Sequence, residues 1–285
     1  MPDLTIGFAV IAVLACGLFW CAAGLAAGLS VRAGNALGLL AVGCLLLYIC
    51  LLWQSPQVAA WLPYSNLIVV GNWLPLFTAA IAGLVWQRLP ASAVRRGFTL
   101  AALVLCGAFA SIYPLLGPVP RCQNRWDKLG TCLQTTDYTC SPAAAATLLH
   151  KYGIEASEQE MARLCLTRRG TTWQGLYRGL KLKTAGTPWD VQVCHGLAED
   201  LALPQGGPMI VSVGLAANAA GNTDFSREFG WVPGVNHSVV LERVRANGVA
   251  IVADPSQEMS REHWDRETLR KLWRGNALRL VPREP

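Results

Sequence analysis

The first 120 residues hold five charged side chains, Asp3, Arg32, Arg88, Arg95 and Arg96, and four long stretches between them carry none. These stretches run approximately over Leu4–Ser30, Asn35–Trp53, Asn66–Gln87 and Phe98–Leu116. Each approaches or exceeds the ~20 apolar residues that cross the hydrocarbon of a bilayer. Buried helices of a soluble core are the alternative, but four in succession without a polar face would leave nothing for water to cover. Trp53, Trp61, Tyr64, Trp86 and Tyr113 fall near the ends of the stretches, where amphipathic rings favour the membrane interface. The sequence therefore predicts a transmembrane region over residues 1–117 with four helices, a stem over 118–133, and a second domain over 134–285.

The first stretch does not read as a cleaved signal peptide: no Lys or Arg precedes it, and its apolar run is too long. The arginines orient the rest. Arg32 lies between the first and second stretches, and Arg88, Arg95 and Arg96 between the third and fourth; the second connection has no basic residue. Placing the arginines in the cytoplasm puts the N-terminus and the second domain outside, in a multi-pass protein of the cell or inner membrane. Arg121, Arg125 and Lys128, close behind the fourth stretch, pull the other way. No stretch has an ionisable residue at mid-span, which argues against transport or proton relay and for an anchor in the lipid bilayer, with docking of another membrane protein as a further use.

The remaining charges lie after residue 120, and the net +6 divides evenly between the two parts, so no basic patch points to nucleic acid. No GxxxxGK[ST] loop is present, which removes ATP as a partner. Five cysteines, Cys16, Cys21, Cys44, Cys50 and Cys106, lie in the apolar stretches, where a small apolar thiol needs no special role. Cys122, Cys132, Cys140, Cys165 and Cys194 lie beyond them. With Cys140 set aside, four cysteines are enough for two disulfides in an oxidising compartment: Cys122–Cys132 across a short loop, and Cys165–Cys194 as the remaining pairing. Unpaired buried thiols are the alternative.

In the second domain, helical signals come first. Ser141–Tyr152 has Pro142 in its first turn and Gly153 after its end. Ser157 with Glu160 forms a capping box for a helix to Cys165, and Thr172–Lys181 reads as a third. β-Branched runs follow at 208–215, 237–246 and 249–255, with Ala246-Asn247-Gly248 as a hairpin turn and 278–282 as a closing strand. Helices followed by antiparallel strands make an α+β fold.

Cys140 stands at the start of the first of these helices, where unpaired N–H groups and the helix dipole favour a thiolate. A thiolate nucleophile needs an imidazole partner, and that ring needs an orienting group. Of the four histidines, His150 lies about 15 Å along the same helix, His263 sits in a polar segment read as a helix, and His195 follows a short apolar run. His237 opens one strand and Asp254 ends the next, so a hairpin at Asn247 brings the two together.

Gln134, Cys140, His237-Ser-Val-Val-Leu and Asp254-Pro, in that order, resemble the C39 peptidases, the papain-like cysteine peptidases that remove double-glycine leaders. The closing Trp273-Arg-Gly275 and final strand resemble the end of those domains, so the likeness covers about residues 130–282. The resemblance implies an α+β papain-like fold, Cys140 as nucleophile, His237 as general base and acid, Asp254 as its orienter, and Gln134 as an oxyanion-hole donor. It calls for no metal and no organic cofactor, and for a peptide or protein substrate. This chain has Thr139-Cys140-Ser141 where family members often have Asp-Cys-Gly, and it lacks the nucleotide-binding domain of the better-known members. Trp173 is a candidate for the substrate groove or a core residue, and the glycine-rich stretch 218–237 is a candidate lid or a plain insertion. The expected function is a membrane-anchored cysteine endopeptidase acting on exported or membrane-tethered polypeptides, next to small residues such as glycine. The alternatives are a catalytically silent peptide-binding protein and a thiol acyltransferase or amidase.

Overall fold

A segment without a polar face can only bury its backbone hydrogen bonds internally, and in the computed structural model the apolar part of the chain is helical accordingly. The structure describes residues 2–53, 55–86, 92–197, 207–218, 224–227, 230–256 and 261–283. The chain divides into two compact units, Met1–Leu116 and Gly117–Pro285.

The first unit contains α1 (Pro2–Ala27), α2 (Val31–Leu51), two short helices α3 (Gln57–Trp61) and α4 (Leu67–Val70), then α5 (Leu74–Trp86), α6 (Ala93–Ile112) and a 3-10 turn at Tyr113–Leu115. Four spans, Pro2–Ala27, Val31–Leu51, Leu67–Trp86 and Val94–Leu115, are long and apolar enough to cross a membrane. Large apolar side chains point outward from them, with Leu39 75% and Phe98 77% exposed, an arrangement that lipid tolerates and water does not. α1 packs on α5 at Gly83, where an added Cβ would lie 2.3 Å from the Phe19 carbonyl oxygen, so only glycine permits that approach. The third span, expected as one helix, is broken between α4 and α5, with Pro75 in the first turn beyond. Proline there supplies no N–H. The Tyr48 hydroxyl donates to Gly71 O at 2.9 Å and accepts from Trp73 N at 3.0 Å, and the Asn72 amide donates to Ala110 O at 2.9 Å.

The second unit contains α7 (Cys140–Lys151), α8 (Glu158–Leu164), α9 (Trp173–Lys183), β1 (Trp189–His195), β2 (Met209–Gly214), α10 (Asp224–Arg227), β3 (Asn236–Val244), β4 (Ala250–Ala253), β5 (Glu262–Trp264), α11 (Arg266–Leu272) and β6 (Trp273–Pro282). The caps act as their residue types predict: Ser157 accepts from Glu160 N, Thr172 from Gly175 N and Asp265 from Thr268 N. The strands form one antiparallel sheet in the order β1-β6-β2-β3-β4-β5. Two strands escaped the sequence reading. β1 pairs along β6 from Trp189↔Pro282 to His195↔Asn276, and β5 occupies the first part of the segment read as a polar helix, which begins only at Arg266.

The sheet is covered on both faces. α7 packs on β2 and β3, and Ala143–Ala146 are wholly buried there, because only methyl side chains let a helix lie so close on all sides. The alternate residues Val211, Val213, Val239 and Leu241 face the other way into a core with Leu269 and Leu272 of α11 and Trp231, Trp264 and Trp273. This is an α+β, papain-like layout.

The expected disulfides are absent: among the described residues every cysteine is a free thiol. Cys165 is buried with its sulfur filling the space above Gly179 of α9, whereas Cys194 lies on β1 against the core of the far face. The Cys122 thiol lies 3.9 Å from Pro120 O, and the buried Cys132 donates its N–H to Thr147 Oγ1 at 2.9 Å. Burial first, then the Glu158 charge, pushes the Cys122 and Cys132 thiols up to about 12, and burial does the same to Cys165, so all three stay protonated.

Candidate active site

Cys140 is the first residue of α7, and the chain reaches it through a tight turn: Thr139 N donates to Thr136 O, and the Thr139 hydroxyl accepts from Thr136 N at 3.0 Å. The thiol is almost entirely buried, at 9% exposure, at the end of a helix whose first N–H groups have no helical partners. His237 is the second residue of β3, and Asp254 directly follows β4, wholly buried. The β3–β4 hairpin turns through Gly248, at φ +84, with Val249 N donating to Asn247 Oδ1. Across it His237 Nε2 donates to Asp254 Oδ1 at 2.7 Å. With Nε2 turned to the carboxylate, Nδ1 is the ring nitrogen left for the thiol, and the influence of this histidine lowers the thiol.

The electrostatics favour a thiolate–imidazolium pair. Burial alone would push the Cys140 thiol up. The hydrogen bond and charge of His237, with further hydrogen bonds from the Ser238 backbone N–H and the Ser141 hydroxyl, outweigh burial and hold it below its ordinary value. Burial would likewise pull His237 down, yet the Asp254 charge and hydrogen bond, joined by Cys140, raise it from 6.5 to about 10. Asp254 is held below its usual range because His237 and the Ser256 backbone and hydroxyl bonds overcome burial.

Gln134 lies beside this pair through its backbone, its N–H donating to Pro255 O at 2.9 Å. Trp173 begins α9 and stacks on Tyr177 of the same helix at 6.0 Å. The other histidines are engaged elsewhere: His150 lies against the Trp126 ring, His195 hydrogen-bonds Asn276, and His263 sits on β5. Among the described residues no His, Cys, Asp and Glu cluster could hold a metal ion.

Four contributors went unread in the sequence. Ser141 and Ser238 each follow a named residue and meet at 2.8 Å between their hydroxyls. Trp231 donates Nε1–H to Asp254 Oδ2 at 3.2 Å, and its ring lies 4.9 Å from the His237 ring. It comes from the described end of the 218–237 stretch; residues 219–223 and 228–229 lie outside the described residues. Ser256 donates both its N–H and its hydroxyl to Asp254 Oδ1 at 2.8 Å, and Asp-Pro-Ser was a legible turn signal for it.

A family model described as Peptidase C39 like family matches residues 120–277, more than half of the chain. Among solved structures, the peptidase domain of Streptococcus ComA, a bi-functional ABC transporter involved in a quorum sensing pathway, is 20% identical, covering 54% of this chain and 98% of its own with a TM-score of 0.42. A double glycine motif protease from an AMS/PCAT transporter, solved with its leader peptide, is 18% identical over 59% of this chain and 99% of its own, at 0.40. The N-terminal peptidase C39 like domain of a toxin secretion ATP-binding protein from Vibrio parahaemolyticus is 14% identical over 52% and 100%, at 0.36. No curated protein matches the chain.

Proposed function

The chain belongs to the peptidase C39-like family, and from that membership and the geometry at Cys140 we propose that it is a membrane-anchored cysteine endopeptidase. The observation that carries this reading is the geometry of the site: Cys140 opens α7, and the His237 ring is held at 2.7 Å by the wholly buried Asp254 carboxylate.

In this reading the Cys140 thiolate attacks a peptide carbonyl, forming a C–S bond as the carbonyl electrons move to oxygen. The oxyanion is met by the Cys140 backbone N–H and the Gln134 side-chain amide, donors of a kind whose single loss costs about 10²–10³ in kcat. The C–N bond then breaks, and the leaving amine takes the proton from His237. The neutral ring next draws a proton from water, which attacks the thioester and frees Cys140. Asp254 keeps the ring oriented throughout and stabilises its charged form.

The substrate would be an exported or membrane-tethered polypeptide cut next to small residues such as glycine, as the resemblance implies. The four apolar spans would anchor the enzyme in the bilayer, with the catalytic unit outside the cytoplasm. That placement now rests on Arg32, Arg88, Arg95 and Arg96 alone, since free thiols lend it nothing.

The test is digestion of an internally quenched peptide library with glycine at varied positions by the full-length chain in detergent micelles. Cleavage absent in both Cys140→Ala and His237→Ala, with each variant folded, is the expected result. Equal turnover by Cys140→Ala sinks the assignment.

A further inference from the structure

Glu158 is a wholly buried carboxylate that the chemistry above does not use. It opens α8 behind the Ser157 cap, where its charge meets the positive end of the helix. Both of its oxygens hold one residue: Oε1 accepts from Thr135 N at 2.7 Å and Oε2 from the Thr135 hydroxyl at 2.6 Å. Thr135 directly follows Gln134. On the other side, Gln134 is fixed by its own N–H to Pro255 O. The Gln134 side-chain Oε1 is buried and has no hydrogen-bond partner among the described residues, so no hydrogen bond to that oxygen fixes the carboxamide. Thr135 N also reaches Thr139 Oγ1 at 3.1 Å, and Thr139 precedes Cys140. The Thr135 N–H thus ties the two ends of the loop from Gln134 to Cys140, and the Glu158 carboxylate holds the residue that makes that tie. The stem joins the same knot, since Gln123 N donates to Thr135 Oγ1 at 2.8 Å.

We propose that Glu158 is a positioning residue for the oxyanion donor: by gripping Thr135 it sets where the Gln134 amide stands relative to Cys140. This rests on the peptidase reading and deepens it. Glu158 acts through Gln134 and not on the thiol, so it should matter to reactions that build an oxyanion and not to those that need a thiolate alone.

Two reactions of the full-length chain in micelles separate these. Iodoacetamide alkylation is a displacement at carbon with no oxyanion. Acylation by the p-nitrophenyl ester of N-acetylglycine passes through one: the Cys140 sulfur bonds the ester carbonyl carbon, and p-nitrophenolate leaves with its electron pair. Cys140→Ala sets the background. Glu158→Gln should slow acylation by about tenfold or more, the scale of a small misplacement of a catalytic group, while the alkylation rate against pH stays unchanged. In a Gln134→Ala background it should cause no further loss. Effects of Gln134→Ala and Glu158→Gln that multiply, or an alkylation rate that falls with acylation, overturn the inference. Loss with Gln134→Ala but none with Glu158→Gln overturns it alone. No acylation of the unaltered chain, or none lost with Gln134→Ala, removes the underlying reading as well. Should Glu158→Gln fail to fold, Thr135→Val is read by the same criteria, with Thr135→Ser, which keeps the hydroxyl, expected to match the unaltered chain.

Discussion

The hydroxyls of Ser141 and Ser238 meet at 2.8 Å across 97 residues of sequence, joining the first turn of α7 to the start of β3, one residue beyond Cys140 and His237 respectively. The bond joins the two elements that carry the thiol and the imidazole, and the Ser141 hydroxyl also helps hold the Cys140 thiol down. A double-mutant cycle of Ser141→Ala and Ser238→Ala, read by urea unfolding, should return a coupling of about 0.5–1.5 kcal/mol, the net worth of one such bond. Ser141→Ala alone should move the alkylation profile of Cys140 to higher pH. Ser238→Ala should barely move it, because the Ser238 group that reaches the thiol is the backbone N–H.

The charged pair defines a pH window. Cys140 is depressed, so its thiolate is present below pH ~8.5, the ordinary value of a free thiol. His237 is raised to about 10, so its charge persists until pH rises through about 10. Iodoacetamide should therefore label Cys140 below the ordinary thiol range, and His237→Ala should move labelling to higher pH, because burial is then opposed only by the Ser238 and Ser141 bonds. The same pair links to stability. The His237 contribution is complete below 6.5 and is lost as pH rises through about 10; the Asp254 contribution is complete above 3.8 and is lost as pH falls through its depressed folded value. Asp254→Asn should flatten the acid side of the stability profile and pull the alkaline limit of the charged pair down.

Trp231 covers the His237–Asp254 couple and donates to the carboxylate oxygen that His237 leaves unused. Trp231→Phe keeps a ring over the couple and removes only the N–H, so turnover should fall with little change in the alkylation profile. Trp231→Ala admits water, which screens the pair. The Cys140 limb should then move up and the His237 limb down, a narrowing of the window from both sides that a purely local loss of packing would not produce.

Gly179 and Cys165 form a matched pair of another kind. A Cβ on Gly179 would lie 2.3 Å from the Cys165 sulfur and 3.2 Å from its backbone nitrogen. Gly179→Ala should destabilise the second unit by about 1–3 kcal/mol, as overpacking of a close contact does. Adding Cys165→Ala removes the sulfur and should restore part of the loss. Intact mass after alkylation in denaturant should show every cysteine modified without prior reduction.

What the sequence disclosed was whatever is encoded locally. Ser157, Thr172 and Pro142 announced their helices, and the Asn247 turn announced the hairpin that leaves His237 Nε2 2.7 Å from Asp254 Oδ1. β1 escaped because Trp189, Val191 and Val193 alternate with Asp190 and Gln192 over too short a stretch to stand out, and it exists through its long pairing with β6. β5 is three residues in a charged segment and exists through β4. Ser238, Trp231 and Glu158 are ordinary residues in their own neighbourhoods; only tertiary placement brings them to Ser141, Asp254 and Thr135. Cysteine counting failed because parity says nothing of which layer of the fold each thiol faces.

The break in the third apolar span makes the last prediction. Gly71 O and Trp73 N are polar groups freed by the end of α4, in a span apolar enough to lie in hydrocarbon, and one hydroxyl from α2 serves them both. No unpaired backbone group is cheap at that depth. Tyr48→Phe keeps the ring, including its stacking on Trp73 at 5.5 Å, and strips away only the oxygen. It leaves one acceptor and one donor without their partner, at a cost of about 1–3 kcal/mol each. The expected result is a lower thermal midpoint for the apolar unit in micelles, while Cys140 alkylation is unchanged. An unaltered midpoint would mean that water or lipid headgroups already satisfy the break, and that it lies at the membrane surface instead of inside it.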